Sequence, residues 1–391
     1  MKKVTILSMH TGYGGAENSI ATLANNICSK YDVEIVSLYN LYNKEVYPID
    51  KKVKITYLIN SDIAIRVDKY KKLLKSKRIL KLFKVLFKDY NIHLVRLIKD
   101  TFLSIKNTID KRRLMIKYIK KMDTDIVIST RIEYNYFVSK YAKGVKKIAW
   151  EHNHGDINHI KDVIDSCYNI DNLILVSNEL YNLYNSIEHH PKLSFIPNAI
   201  DEMPSDKSKL ESNKLISVGR LVTIKGYDDM IDVMNFVHDI NPKITLEIIG
   251  DGDLLDELVT KTKNNKLDKV IKFVGFKDKK YINKKLADAS LFISTSHSES
   301  FGLVAIEAMA SGVPVVAFDS AEGFKELIDE SNGFLIQNRN KIEMANKIIE
   351  LLNNRKELKK MGTKAYNRSL HYTKDKVLSS WIDVFEGGKK W

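Results

Sequence analysis

Apolar and polar positions along this chain fall into two successive runs of the same rhythm. An apolar stretch at 4–9 leads into the glycine-rich turn Thr11-Gly12-Tyr13-Gly14-Gly15, and residues 16–27 then repeat apolar positions at helical spacing. Further short apolar runs at 33–38, 125–129, 147–150 and 173–177 read as strands, and 66–121 is helical by composition. Strands that alternate with helices predict a parallel sheet covered on its faces. The rhythm breaks at Pro191, Pro197 and Pro204 and in the polar run that ends at Asn213, then restarts. Apolar runs at 215–219, 245–250, 272–275, 291–294 and 313–318 alternate with helical stretches, among them 227–238 and 302–310. The pattern predicts an α/β chain of two doubly wound, Rossmann-like domains. Their expected bounds are 1–190, a linker at 191–213, then 214–372, with a last helix inside 373–391. Two such units are expected to face each other across a cleft at the carboxyl ends of their strands, where open parallel sheets bind ligands.

A length of 391 residues suits two domains, and 44% hydrophobic with 29% charged residues is ordinary for a soluble globular protein. No run is long enough to span a membrane, and the first apolar stretch is too short for a signal peptide. The two cysteines, Cys28 and Cys167, are far apart, which fits a reducing cytoplasm and argues against a disulfide scaffold or a cysteine-bound zinc. Charge changes the picture more. The net charge is +14, yet residues 66–121 alone hold nineteen Lys/Arg and four Asp/Glu, a net of +15, so the remainder is close to neutral.

The candidate chemistry lies at strand ends. The helix predicted at 302–310 has Ser300 before it and Ser311-Gly312 after it as cap residues, and its free N–H groups make an anion site. Glu299 and Glu307 flank that end and are suited to accept hydrogen bonds from hydroxyls. From spacing alone, a capped amphipathic helix with incidental glutamates explains them equally well. Arg220 and Lys225 follow the first strand of the second unit; a forked cation beside a point charge suits a diphosphate, and a solvated basic loop is the plainer alternative. Gly14 and Gly15 let backbone approach a ligand, but the turn lacks both dinucleotide and P-loop spacing. His152 and His154 follow the strand at 147–150 beside Glu151; a metal site there lacks a third ligand of suitable spacing. Asp251-Gly252-Asp253 reads as a turn rather than as a metal-binding pair.

Together, GGAE at 14–17, GRLVTIKG at 219–226, ESFGLVAIEAMASGVPVVA at 299–317 and NGFL at 332–335 resemble the retaining glycosyltransferases of family 4. The resemblance covers nearly the whole chain apart from the basic stretch. It implies the GT-B fold, with an acceptor-side first domain, a nucleotide-sugar-binding second domain, and a helix at 374–385 that crosses back to the first. It further implies that Arg220 and Lys225 hold a donor diphosphate and that Glu307 binds the ribose. Glu299 would lie by the donor sugar, and Gly14, Gly15, Phe301, Gly302 and Leu303 would complete the donor site. His152, with His154 as the alternative, would contact the sugar near the reacting centre. Ala199 and Ser300 stand where the family more commonly has glycine.

The expected activity is metal-independent, retaining transfer of a hexose from a nucleoside-diphosphate sugar, with uridine as the expected base. The acceptor would be a saccharide or lipid-linked saccharide in cell-surface polysaccharide assembly. No cofactor, metal or nucleic acid is expected. A sugar-nucleotide epimerase on the same fold, or a transferase with a soluble acceptor, are the alternatives. Leu73, Leu74, Ile79, Leu80, Leu82, Phe83, Val85, Leu86 and Phe87 are interspersed with the lysines of the basic stretch. That mixture implies attachment to an anionic membrane surface from the cytoplasm, against the alternative of a solvated helical face.

Overall fold

The computed structural model describes residues 1–41, 45–59, 111–153 and 155–387. The chain divides into two compact units. The first draws on Met1–Glu151, Ile157–Ile174 and His189–Lys192; the second on His152–Asp156, Leu175–Glu188 and the chain from Leu193 onward.

The first sheet has seven strands in the order β3-β2-β1-β4-β5-β6-β7. They are β1 (Lys3–His10), β2 (Asp32–Tyr39), β3 (Lys54–Ile59), β4 (Ile126–Ser129), β5 (Lys146–Glu151), β6 (Asn172–Leu175) and β7 (Lys192–Phe195). From β3 through β5 neighbouring strands run parallel. Val4, Ile6 and Leu7 of β1 and Val33, Ile35 and Val36 of β2 are buried, so residues of both pleat faces leave solvent, as a covered parallel sheet requires. Helices α1 (Gly15–Ile27), α2 (Ile132–Tyr141) and α3 (Ile157–Ser166) accompany it, and residues 111–119 are also helical. Most of the basic stretch, including the apolar residues from Leu73 to Phe87 and Lys81, Lys84 and Lys88, lies outside the described residues, as does His154.

The second unit holds α4 (Asn178–Asn185) and then a regular alternation. It runs β8 (Lys214–Val218), α5 (Tyr227–Ile240), β9 (Thr245–Ile249), α6 (Leu255–Asn264), β10 (Ile271–Gly275) and α7 (Lys279–Asp288). It continues through β11 (Leu291–Ser294), α8 (Leu303–Ala310), β12 (Val315–Phe318), α9 (Gly323–Leu327) and β13 (Gly333–Ile336). Helices α10 (Lys341–Asn353), α11 (Arg355–Ser369) and α12 (Lys374–Glu386) close the chain. Its six strands are all parallel in the order β10-β9-β8-β11-β12-β13. Helix α5 packs on α10 and α8 on α11. Met230, Ile231, Met234, Met344 and Ile348 fill the core with the inward residues of the strands.

The stretch expected as a linker is more ordered than its composition implies. Residues 192–195 form β7 at the edge of the first sheet. Leu210, inside the polar run, is buried in the second core and takes a left-handed backbone (φ 57°), and Arg355 donates to the carbonyls of Leu210 (3.2 Å) and Ser212 (2.9 Å).

Candidate functional site

In the second sheet the strand order reverses between β8 and β11, since the chain runs outward through β9 and β10 and then returns to the other side of β8. Ligands bind at the carboxyl ends of strands at such a reversal. The two loops that leave β8 and β11 there are the GRLVTIKG and HSESFG stretches. They are stitched together: Thr295 Oγ1 donates to the Gly226 carbonyl (2.8 Å) and the His297 N–H to the Ile224 carbonyl (2.8 Å). Gly226 sits at φ 61°, and a Cβ there would collide with the carbonyl of Thr295, so only glycine lets the loops close this tightly.

The closure brings Lys225 onto Glu299. Their ammonium and carboxylate form an ion pair with side chains only 20% and 13% exposed, and Ser296 Oγ adds a 2.9 Å bond to the same carboxylate oxygen. Arg220, on the same loop as Lys225, is exposed. A lysine and an arginine are thus held at the switch point with a carboxylate beside them.

Helix α8 begins one residue later than expected, and Ser300 is not its cap. Gly302 is the N-cap residue at φ 89°, with no side-chain cap bond, and a Cβ on it would run into the ring of Phe324. The first N–H groups of α8, from Leu303 on, therefore meet no capping side chain and keep the partial positive charge of a helix start. Phe301 is 2% exposed and meets Tyr372 edge-on at 5.6 Å between ring centroids, so what it can offer a ligand is its backbone. Glu307 lies over a turn into α8, 12% exposed, and its Oε1 is 3.5 Å from Nζ of Lys279 at the start of α7. Asp251 and Asp253 are exposed in a turn where the Gly252 N–H bonds the Asp251 side chain (2.8 Å), as their sequence context predicts.

In the first unit the order reverses between β1 and β4. Gly14 precedes α1 and Gly15 opens it; the hydroxyl of Tyr47 donates to the Gly14 carbonyl (3.0 Å), and an added Cβ on Gly15 would meet open space. Buried Glu17 in the first turn of α1 lies 3.5 Å from both Arg131 and His10 Nδ1. His152 follows β5 and is half-buried.

Residues 199–368 match the family described as Glycosyl transferases group 1. The chain contains a glycosyltransferase group 1 domain. This domain spans β8 to α11 and so includes both stitched loops. An uncharacterised glycosyltransferase of Haemophilus influenzae is 26% identical over 396 residues, 98% of this chain and all of its own length. The poly(ribitol-phosphate) α-N-acetylglucosaminyltransferase of Staphylococcus aureus is 33% identical over 178 residues. That match takes in 45% of this chain and 36% of the relative, so the chain spans about a third of that enzyme's length. A crystal structure of a mutant S. aureus TarM with fondaparinux, α-GlcNAc-glycerol and UDP superposes with a TM-score of 0.75, 17% identity, and coverage of 98% of this chain and all of the other. The two parallel-sheet, Rossmann-like units are those of the GT-B fold.

The group 1 domain also uses residues that no sequence motif marks. Arg339, in the turn after β13, donates to the carbonyls of Thr295 (2.9 Å) and Ser296 (3.1 Å) and to Ser320 Oγ (2.7 Å). It pairs with Asp229 at the start of α5, and its guanidinium stacks 4.6 Å from the Phe318 ring centroid. Burial alone would push the Asp229 carboxyl up, but hydrogen bonds from Lys341 and Arg339 bring it below the usual carboxylate range. Asp228, Asp229 and Asp232 lie close enough to suggest a cation site, yet Lys261, Lys341 and Arg339 already neutralise them. Lys279 lies 28 residues before Glu307, and Arg339 lies more than 40 residues after the Thr295 and Ser296 carbonyls it holds, so only the folded sheet brings them there.

Proposed function

We propose that the chain is a metal-independent, retaining glycosyltransferase of family 4, moving a hexose from UDP-sugar to a saccharide or lipid-linked acceptor in cell-surface polysaccharide assembly. The observation that carries this is the Lys225–Glu299 pair, held with Arg220 on the switch-point loops just before the start of α8. Breakage of the C1–O bond leaves the electron pair, and so growing negative charge, on the diphosphate. Arg220, Lys225 and the N-terminal N–H groups of α8 stabilise that charge. One such donor is worth about 3 kcal/mol in a closed site. Glu299 holds the Lys225 ammonium; a diphosphate competes for that ammonium and leaves the carboxylate to accept from sugar hydroxyls. Glu307 accepts from the ribose. Roles for His152, Gly14 and Gly15 at the sugar and its phosphate rest on the family resemblance, as does retention of anomeric configuration. The relatives' printed activities, transfer to poly(ribitol-phosphate) among them, support a cell-surface polymer as acceptor.

A panel of nucleotide sugars, read by release of the nucleoside diphosphate, tests the reading. Release that requires an added saccharide acceptor is expected. Sugar isomerisation or hydrolysis without an acceptor would make the chain an epimerase-like enzyme instead.

The membrane part of the proposal stands on sequence. No helix among the described residues is long and apolar enough to cross a membrane. Lysines near an anionic leaflet contribute about 1 kcal/mol each, which makes the basic stretch a peripheral anchor on the cytoplasmic face. Flotation with vesicles should require anionic lipid and weaken with salt. It should fail when Lys81, Lys84 and Lys88 are changed to Glu; equal recovery on neutral vesicles would remove the anchor.

A further inference from the structure

The Lys225–Glu299 pair is held by one peptide unit, that between Ser296 and His297. Its N–H, on His297, donates to the Ile224 carbonyl (2.8 Å), in the turn that carries Lys225. Its C=O, on Ser296, is taken from the opposite side by Arg339 Nη1 (3.1 Å) and Ser320 Oγ (3.1 Å). The Ser296 hydroxyl then bonds Glu299 (2.9 Å). Arg339 also takes the preceding carbonyl, Thr295 (2.9 Å), and pairs with Asp229, in the helix that starts directly after Gly226. The planar fork therefore ties the loop after β11 to the helix that follows the Lys225 turn, at bond lengths and directions that a lysine could not reproduce together. The backbone is bent to put it there: Asn338 and Arg339 both lie in the left-handed region, at φ 53° and 51°. Such conformations persist only where their surroundings hold them.

We infer that Arg339 is a positioning residue for transfer: it fixes the Ser296–His297 peptide and so sets where Lys225 and Glu299 meet the donor. It touches neither donor nor acceptor in this account, and the inference rests on the reading of the site given above.

Kinetics of Arg339→Lys, alone and combined with Glu299→Gln, test it. In the wild-type background Arg339→Lys should lower kcat on the order of 10²-fold, the cost of roughly 1 Å of misplacement in a site. The donor KM should change far less. Once Glu299 is already Gln, the same substitution should cost clearly less, on the order of 10-fold or below, because one of the two groups it positions is gone. Guanidinium added to Arg339→Ala should restore part of kcat. A loss that multiplies fully with Glu299→Gln and tracks a fall in melting temperature would make Arg339 a plain core tie and overturn the inference. If Arg339→Lys does not fold, Ser320→Ala removes a hydroxyl from the same clasp and should show the same non-additivity on a smaller loss. Wild-type protein that transfers nothing from any nucleotide sugar would overturn the reading of the site, and this inference with it. Normal wild-type transfer with additive losses overturns the role of Arg339 alone.

Discussion

The ammonium of Lys225 and the carboxylate of Glu299 form a mostly buried ion pair between two loops that leave different strands of one parallel sheet. The pair places two opposite charges at the switch point of the second sheet. A lone lysine there would be strongly hydrated and a lone buried glutamate costly, whereas together they are satisfied until a ligand competes.

Loss of either diphosphate cation should therefore weaken transfer without unfolding the chain. Lys225→Ala and Arg220→Ala should each reduce kcat/KM by roughly 10²-fold, the worth of one such donor. Melting temperature should stay close to the wild type for exposed Arg220→Ala. Near-normal turnover in the double variant would refute a diphosphate at these residues.

Glu307 should read the ribose. A hydrogen bond to a charged acceptor is worth about 1.5–3 kcal/mol, so Glu307→Gln should bind UDP roughly 10- to 100-fold more weakly. It should also lose most of the wild type's preference for UDP over 2′-deoxy-UDP. Lys279→Ala, which removes a half-exposed partner of Glu307 at 3.5 Å, should matter much less. Titration calorimetry with both nucleotides checks this; an unchanged preference in Glu307→Gln would separate that glutamate from the ribose.

Gly302 should not tolerate a side chain. At φ 89°, with the Phe324 ring where a Cβ would go, Gly302→Ala should destabilise the second unit by about 1–3 kcal/mol. Chemical denaturation measures it; a neutral result would mean the start of α8 is laxer than the structure shows.

Stability should fall between about pH 5 and 8. Burial, a hydrogen bond that the protonated carboxyl donates to Glu322, and charge repulsion with Glu322 push the Glu179 carboxyl up to about 7. Its folded pKa thus lies above the unfolded value, so the stabilising proton is fully present at low pH and lost as pH rises through 7. The two carboxyls share that proton, so the transition belongs to the pair. Glu179→Gln should abolish this part of the pH dependence and raise the melting temperature at pH 8. A wild type that melts no lower at pH 8 than at pH 6 would contradict it.

Much of the architecture was legible because each strand is a short apolar run bounded by turn residues. Strand β11 lies at its expected bounds, and β1, β2 and β9 differ only at their ends. Strand β3, KITYLI, is half-buried and follows a polar turn, so no strong pattern announced it. Strand β7 hid among prolines. Ser300 looked like a cap because serine caps helices well, but Phe324 and the left-handed Gly302 carry the chain past it before the helix starts. Within the site, Arg220, Lys225, Glu299 and Glu307 were readable as motifs. Lys279 and Arg339 were not, because a single long cation carries no local signature and acquires a role only where the fold delivers it.

The most direct test of the central claim is a proton NMR spectrum of the product formed from an α-linked UDP-sugar and a saccharide acceptor, in the presence of EDTA. The account predicts a new α-anomeric signal, appearing in step with released UDP. A β-anomeric product, or turnover that stops in EDTA and returns with a divalent metal, would contradict it.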